Sequence, residues 1–238
     1  MLRPLSIILA AITVVAALTL FFKVETILVT GAGRYSAADI IAASGVETGD
    51  NLVLLDRYRV SQRIYTALPY ITDVRPKPKF PNTLEIEVTE TQAAAAIQGA
   101  GGWWLLSTSG KILEAVDAPA AADYLQIKGI QAETPAVSSP AVLPEDSHLT
   151  AERLSALLTA LATQEALPRA DALDCSDSRK LVLDYDGRLQ VEMFYNADFD
   201  FKITCMLSAV DKLEPNETGI LRMTMEDDYE VHFIKSGG

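Results

Sequence analysis

The sequence has few of the residues that catalysis and metal binding most often use. It contains two histidines, His148 and His232, and two cysteines, Cys175 and Cys205, with no Cys-x-x-Cys pair. It also lacks a nucleophile elbow, a paired-histidine zinc motif and a phosphate-binding loop. Acidic pairs near its turns supply too few oxygen ligands for a calcium site. We therefore expect a protein that is not an enzyme and that binds neither a metal nor a cofactor.

Basic residues are scarce as well. Without Arg3 and Lys23, eighteen of the 20 basic residues remain against 32 acidic ones, which gives −14 beyond the N-terminal segment. Nucleic-acid binding needs clustered Lys and Arg, so this charge argues against it. The same charge argues against a chain that lies flat on an anionic lipid surface. An acidic exterior mainly favours solubility.

The two cysteines leave two alternatives open. Cys175 and Cys205 allow one disulfide if the chain folds in an oxidising compartment. They are equally compatible with two buried thiols that act as small apolar residues.

One long uncharged stretch stands near the N-terminus. Leu5–Phe22 has eighteen residues without a charge, and as a helix it spans about 27 Å, close to the hydrocarbon thickness of a bilayer. Arg3 precedes it, and Lys23 and Glu25 follow, so we expect the N-terminus inside and the bulk of the chain outside. A signal peptide cleaved near Val15–Ala17 is the alternative. The run is longer than the usual apolar region of such peptides, which favours an uncleaved transmembrane anchor.

The first third of the remaining chain predicts a strand, two helices and two further strands. The expected ranges are strand 24–29, a helix between Ser36 and Gly45, a helix at 56–68, and strands 71–74 and 83–90, the last two joined by the proline-rich segment 75–81. Gly31 and Gly33 invite a dinucleotide-binding interpretation. Ser36 stands where that motif needs its third glycine, so we interpret the glycines as a turn.

The rest of the chain predicts a mixed domain with an antiparallel sheet and two helices. We expect a hairpin at 103–113, a long Ala/Pro-rich surface connection at 115–147 with one strand at 124–127, helices at 149–161 and 199–213, strands at 170–175, 180–185 and 188–194, and a last hairpin formed by 219–225 and 229–234. Asp198 is the expected cap of the second helix, and Asp186-Gly187 is a strong hairpin signal.

Four motifs carry a family resemblance. Gly49–Leu52, Leu68–Ile71 and Phe80–Leu84 follow the predicted membrane segment in the order and spacing of a POTRA domain, and Trp103–Leu113 resembles the hairpin that opens a second, β-rich domain. Together they resemble the FtsQ/DivIB family of bacterial cell-division proteins. Two details depart from the family pattern: no proline follows Glu90 closely, and Ser107 stands where an acidic residue is common.

The resemblance implies an α+β protein with a defined domain order. It predicts a cytoplasmic tail at 1–4, a transmembrane helix at 5–22, a β-α-α-β-β POTRA domain at 24–91, a β domain at 92–234 and a tail at 235–238. It also implies a non-enzymatic divisome scaffold in the cytoplasmic membrane at the division septum. The implied partners are the small bitopic division proteins of FtsB/DivIC and FtsL type.

The resemblance further implies that partners bind at the last strand, partly by strand addition. The residues it nominates are Met223, Met225, Tyr229, Glu230, Val231, His232 and Phe233. In a simpler interpretation Tyr229, Val231 and Phe233 face the core, which leaves the backbone edge, Glu230 and His232 for a partner.

Two other functions stay open. A POTRA-bearing component of a secretion or outer-membrane assembly system would need repeated POTRA units or a membrane barrel, neither of which the sequence predicts. An extracytoplasmic enzyme would need a catalytic cluster that the motifs do not supply.

Overall fold

The computed structural model describes residue 13 and residues 21–224 and 231–235. The predicted membrane helix Leu5–Phe22 lies outside these ranges, apart from Thr13, Phe21 and Phe22. Within the described ranges, no helix combines the length and the apolar character needed to cross a bilayer. The chain divides into two compact units at the Thr91–Gln92 junction.

The first unit is a three-stranded sheet with two helices. Its elements are β1 (Thr26–Thr30), α1 (Ala37–Ser44), α2 (Arg57–Ala67), β2 (Ile71–Lys79) and β3 (Thr83–Glu90). The strand order is β1-β3-β2, with β1 parallel and β2 antiparallel to the central β3. Leu84, Ile86 and Val88 alternate along β3 and enter one apolar cluster with Ile40 of α1 and Ile64 of α2. The β-α-α-β-β prediction is confirmed.

Side-chain caps define both helix starts. Ser36 Oγ accepts the Asp39 backbone N–H at 3.1 Å, and the Asp39 carboxylate accepts the Ser36 N–H at 3.1 Å, which completes a capping box. Gly45 ends α1 in the left-handed conformation. Asp56 caps α2 by accepting the Arg59 N–H at 3.1 Å. Each such cap stabilises its helix by about 1 kcal/mol.

The proline-rich segment is part of a strand, which corrects the prediction that it only joins two strands. β2 includes both Pro76 and Pro78. A proline cannot donate to a ladder, but β2 is an edge strand, and two residues of one strand that are two apart point their backbone groups to the same side. Both prolines can therefore lie in the strand with their nitrogens away from β3.

The second unit is built on a nine-stranded sheet within the described ranges. Its elements are β4 (Ala93–Gly99), β5 (Gly102–Ser107), β6 (Ile112–Val116), α3 (Ala118–Ala121), β7 (Leu125–Ala132), α4 (Ala151–Thr163), β8 (Ala170–Asp174), β9 (Lys180–Tyr185), β10 (Leu189–Phe194), α5 (Phe199–Val210), β11 (Gly219–Arg222) and β12 (His232–Lys235). The spatial order is β12-β11-β10-β9-β8-β7-β4-β5-β6. Helix α4 connects the parallel strands β7 and β8, and α5 connects the parallel strands β10 and β11.

One row of paired apolar residues crosses this sheet. In register order it runs through Trp104, Ile97, Ile127, Leu173, Leu183, Val191, Leu221 and Phe233. Leu157 and Leu161 of α4 and Ile203 and Met206 of α5 belong to the same buried cluster. The apolar stripes of both helices therefore cover this face of the sheet. The chain is α+β as predicted, but the sheet is mixed and not antiparallel, because β4–β7, β7–β8 and β10–β11 pair in parallel.

Two parts of the second unit differ from the sequence prediction. β4 went unpredicted because its run of four alanines has low strand propensity, yet Ala94–Ala96 are buried at an interior position of the sheet. The predicted surface connection 115–147 instead packs on the unit. β7 extends to Ala132, Glu133 forms a bridge with Val142, and Ala141 and Leu143 are buried.

Gly31 offers a test of the turn interpretation. Its φ is +83°, and a Cβ there would lie 2.1 Å from the Val88 carbonyl oxygen. Gly31→Ala should destabilise the first unit by at least about 2 kcal/mol, which hydrogen exchange of the β3 amides would measure. Gly33→Ala is the matched control, because its Cβ would meet only a Glu90 side-chain oxygen at 3.3 Å. Equal exchange rates in both variants would contradict the prediction.

Removal of the hydroxyl groups of Tyr185 and Tyr195 should change the stability of the second unit in opposite directions. Among the described residues, the buried Tyr185 hydroxyl has no hydrogen-bond partner, so Tyr185→Phe should stabilise the second unit by about 1 kcal/mol. The Tyr195 hydroxyl donates to the carbonyl of Asp177 at 2.7 Å, so Tyr195→Phe should destabilise the unit by about 1 kcal/mol. Urea unfolding followed by tryptophan fluorescence measures both, because Trp103 and Trp104 lie in this unit. Effects of the same sign would contradict the pairing.

Candidate interaction edge at the last strand

The described end of the chain forms an open edge of the large sheet. β12 pairs antiparallel with β11, with Ile220 opposite Ile234 and Arg222 opposite His232. No strand of the described ranges lies on the outer side of β12. The other edge strand, β6, is partly covered by the segment that contains Ser138 and Ser139. The Ile112 N–H donates to the Ser139 carbonyl at 2.8 Å, and the Ile112 carbonyl accepts the Ser138 N–H at 2.9 Å.

The backbone direction along β12 follows from its neighbour. Gly219 N–H donates to Arg188 of the β9–β10 turn, and Met223 N–H donates to Glu192 of β10. Alternate residues of a strand point their backbone groups to opposite sides, so Ile220 and Arg222 point toward β12. The backbone groups of their register partners, Ile234 and His232, therefore point back toward β11. It follows that Phe233 and Lys235 direct their N–H and C=O groups to the outer edge.

The side chains of β12 divide between two faces. Val231 and Phe233 are half-buried and pack against the core, and the Phe233 ring lies over Gly219, where a Cβ would come within 2.7 Å of the ring. His232 and Ile234 are exposed on the opposite face. The alternation predicted for Val231 and Phe233 is therefore present.

The remaining nominated residues fare differently. Met223 is fully buried, so its side chain has no surface that a partner could contact in this structure. Met225, Tyr229 and Glu230 lie outside the described residues. The predicted role of this region in partner binding remains a prediction.

A groove of about 440 Å³ borders the edge on the helix-covered face. Its walls are the last turns of α5 and the ends of β11 and β12, through Thr204, Cys205, Ser208, Ala209, Lys212, Leu213, Leu221, Val231 and Phe233. The sequence reasoning missed the α5 residues of this wall. The helical spacing from Phe199 to Leu213 predicts which α5 residues face the core, but the strand that α5 borders depends on the order of the sheet.

A buried carboxylate holds two cations on the open face of the sheet, next to this edge. Glu192 accepts from Lys180 Nζ at 2.6 Å and from Arg222 Nε at 2.9 Å. Burial raises the pKa of Glu192, but the hydrogen bonds and charges of the two cations outweigh it, so the pKa lies below its ordinary value. The network joins β9, β10 and β11, and Arg222 is the register partner of His232.

A second cavity, of about 830 Å³, lies beside an irregularity in β7 and was not predicted. Trp103, Lys128, Gly129 and His148 are among its lining residues, as is Cys175. Burial raises the pKa of the Cys175 thiol to about 12, with a further contribution from Asp174, so this thiol stays protonated and inert at neutral pH.

Both cysteines are free thiols in this structure, which corresponds to the second of the two alternatives drawn from the sequence. Cys175 is buried and Cys205 is half-buried. Over the described ranges, no group of three or more His, Cys, Asp or Glu residues is placed to hold a metal ion.

Comparison with known proteins identifies the first unit as a recognised class of domain. The family model for the POTRA domain of FtsQ type matches residues 22–91. This range covers the three-stranded sheet and both of its helices, and it ends at the junction between the two units. The chain is therefore a protein with an FtsQ-type POTRA domain.

Curated relatives extend the match beyond that domain. The cell division protein FtsQ of Corynebacterium glutamicum is 33% identical over 44% of this chain and 47% of its own length. FtsQ of Streptomyces bingchenggensis is 26% identical over 64% of this chain and 54% of its own. The cell division protein DivIB of Clostridium acetobutylicum is 30% identical over 40% and 37%. The matches thus span roughly half or less of each relative. The predicted resemblance is confirmed: the first unit matches the FtsQ-type POTRA domain, and the chain is similar to FtsQ and DivIB cell division proteins.

Glu192 gives this region a pH-dependent signature. The pKa of Glu192 is lower in the folded protein than in the unfolded chain, where it is about 4.3. Ionised Glu192 therefore stabilises the folded state at pH values above about 4.3. This stabilisation is lost as the pH falls through the folded-state pKa. Glu192→Gln should cost about 1–2 kcal/mol at pH 7, and the difference in unfolding free energy from the native protein should shrink as pH falls below about 4.3. Urea unfolding at several pH values measures this difference.

The matched control is Glu217→Gln. Glu217 is partly exposed, pairs with the mostly exposed Lys235 at 3.1 Å and accepts the Glu214 backbone N–H at 3.0 Å, and these hydrogen bonds lower its pKa. Because its partner cation is largely in solvent, this variant should lower the urea midpoint by less than Glu192→Gln does and should show a smaller pH dependence. If the loss of unfolding free energy in Glu192→Gln does not depend on pH, the loss comes from packing. That result would contradict the prediction that the charge of Glu192 stabilises the unit.

Proposed function

We propose that this protein is a non-enzymatic scaffold of bacterial cell division that binds other bitopic division proteins through its last strand. The open outer side of β12 carries the proposal. Similarity to FtsQ and DivIB supports the cell-division role, since the matched relatives are named cell division proteins. By the same family resemblance, the partners we propose are of FtsB/DivIC and FtsL type.

The edge strands β2 and β12 differ in the residues they carry, and this difference supports partner binding at β12. Pro76 and Pro78 occupy β2, and a proline keeps an edge strand from pairing because it has no backbone N–H to donate. β12 has no proline among its described residues, and its neighbour β11 leaves it an outward ladder at Phe233 and Lys235. We propose that a partner strand pairs there.

The adjoining groove supplies side-chain recognition. A partner strand beside β12 would point alternate side chains to the two faces of the sheet. On the helix-covered face these side chains would lie at the groove walled by Cys205, Leu213 and Phe233. On the open face they would lie beside His232 and Ile234. A strand with apolar residues on the first face and polar residues on the second fits this arrangement.

Membrane anchoring would make such a short edge effective. The four residues of β12 offer only a small ladder. We propose that Leu5–Phe22 spans the cytoplasmic membrane with the N-terminus inside and places the two units outside, at the division septum. Confinement to the membrane plane raises the effective concentration of other bitopic proteins. Division-site recruitment of an FtsB/DivIC-like partner that persists after depletion of this protein would contradict the role.

Lys235 allows a direct test of strand addition. Its N–H faces the outer edge, so Lys235→Pro should remove an edge donor and block a partner strand while the β11–β12 ladder stays intact. We expect at least about tenfold weaker capture, a loss of ~1.4 kcal/mol, of the outer segments of FtsB/DivIC- and FtsL-like proteins by the full-length chain in detergent.

Lys235→Ala is the matched control. It removes the ion pair with Glu217 but keeps the backbone N–H, so it should bind like the native chain. This pair of variants is sharper than a truncation before Tyr229, which would also delete Val231 and Phe233 from the core. Tryptophan fluorescence verifies that both variants fold. Equal capture by the two variants would exclude strand addition at this position.

A further inference from the structure

Three segments of the first unit meet where the long apolar run ends. Leu52 N–H donates to the Phe22 carbonyl at 2.8 Å, and Lys23 forms a bridge with Asn51. From the other side, Glu25 N–H donates to Asn82 at 2.8 Å. The α1–α2 loop and the β2–β3 turn are therefore both fixed by backbone hydrogen bonds to the first residues after this run.

Exposed apolar side chains gather on these three segments and in the first turn of α2, which follows the α1–α2 loop. Phe21 is 76% exposed, Leu54 73%, Tyr58 74%, Phe80 57% and Val53 46%. They make up five of the ten large apolar residues that are exposed in the described part of the chain. Solvent-exposed apolar residues are ordinary when scattered, but a group of them marks an interaction surface. We call these five residues the exit patch.

Local hydrogen bonds hold the exit patch in its exposed position. Asn51 Oδ1 accepts the N–H groups of Val53 at 2.9 Å and Leu54 at 3.1 Å, which shapes the loop tip. The Phe80 ring contacts the Phe22 ring edge to face, with centroids 5.0 Å apart. Tyr58 lies in the first turn of α2, directly after the Asp56 cap.

The charge of the first unit permits contact with a lipid surface. Residues 21–91 hold eight basic and nine acidic residues, a net −1, whereas residues 92–238 hold eleven basic and 23 acidic residues, a net −12. The acidic excess that argues against a lipid surface for the whole chain therefore belongs almost entirely to the second unit. Lys23, Arg57 and Arg59 adjoin the exit patch in sequence, as do the acidic Glu25 and Asp56, and Arg59 pairs with Asp56 at 3.9 Å.

We propose that the exit patch docks on the outer surface of the lipid bilayer and fixes the orientation of the first unit against it. Aromatic and aliphatic side chains beside cationic ones are the composition that enters the headgroup layer. The occupant follows from the chain itself, because the apolar run Leu5–Phe22 ends at the residue to which the patch is bonded. The docking rests on the membrane anchoring proposed above and is independent of the division role.

The test measures membrane depth at two positions of the full-length chain in phosphatidylcholine vesicles. Leu54→Cys probes the patch, and Ala32→Cys is the control, because Ala32 is exposed at the opposite end of β1 from Phe22. Both carry Cys205→Ser, which removes the half-buried thiol, while the buried Cys175 stays unreactive. A nitroxide on each cysteine reports collisions with oxygen, enriched in lipid, and with a water-soluble nickel chelate.

We expect the oxygen-to-nickel collision ratio at position 54 to be at least about threefold that at position 32, because interfacial apolar groups sit ~5–10 Å into the headgroup boundary. Equal ratios would overturn the proposal. A label at position 54 that is shielded from both reagents would also overturn it and indicate a protein occupant. Flotation of the same vesicles tests anchoring separately, and capture of FtsB/DivIC-like segments tests the division role.

Discussion

The second unit depends on burial of one apolar row that crosses its sheet. Ile127, Leu173, Leu183, Val191 and Leu221 occupy matching register positions on neighbouring strands, and all five are fully buried under α4 and α5. Burial contributes about 1.5–3 kcal/mol for each such side chain. A one-residue shift of any strand would turn its member of the row to the other face, so the row also fixes the register.

This constraint explains why the sheet can end in an open strand. The row continues into β12 through Phe233, whose ring packs over Gly219, so the last strand is held from one face by apolar contact. The outward backbone groups of β12 take no part in that packing. The side chains of β12 hold it in place, so its outward N–H and C=O groups remain able to pair with another strand. Such pairing would disturb no contact in the core.

The surfaces of the two units differ in charge and in exposed apolar residues. The first unit is nearly neutral and gathers exposed apolar residues where its chain leaves the long apolar run. The second unit carries almost all of the negative charge and ends in the open edge. Proposed contact with lipid and proposed contact with protein thus fall on separate units, so each can be altered without changing the chemistry of the other.

The sequence by itself determined the elements whose signals are local. The helix between Ser36 and Gly45, helix α4 and the Asp186-Gly187 turn each depend on residues a few positions apart, and each formed as predicted. Tertiary structure alone decided that four alanines form β4, that Pro76 lies within β2, that segment 133–147 packs on the second unit, and that α5 borders the last strand. Those outcomes depend on which strands become neighbours, and strand order arises from pairing between distant residues that no local period encodes.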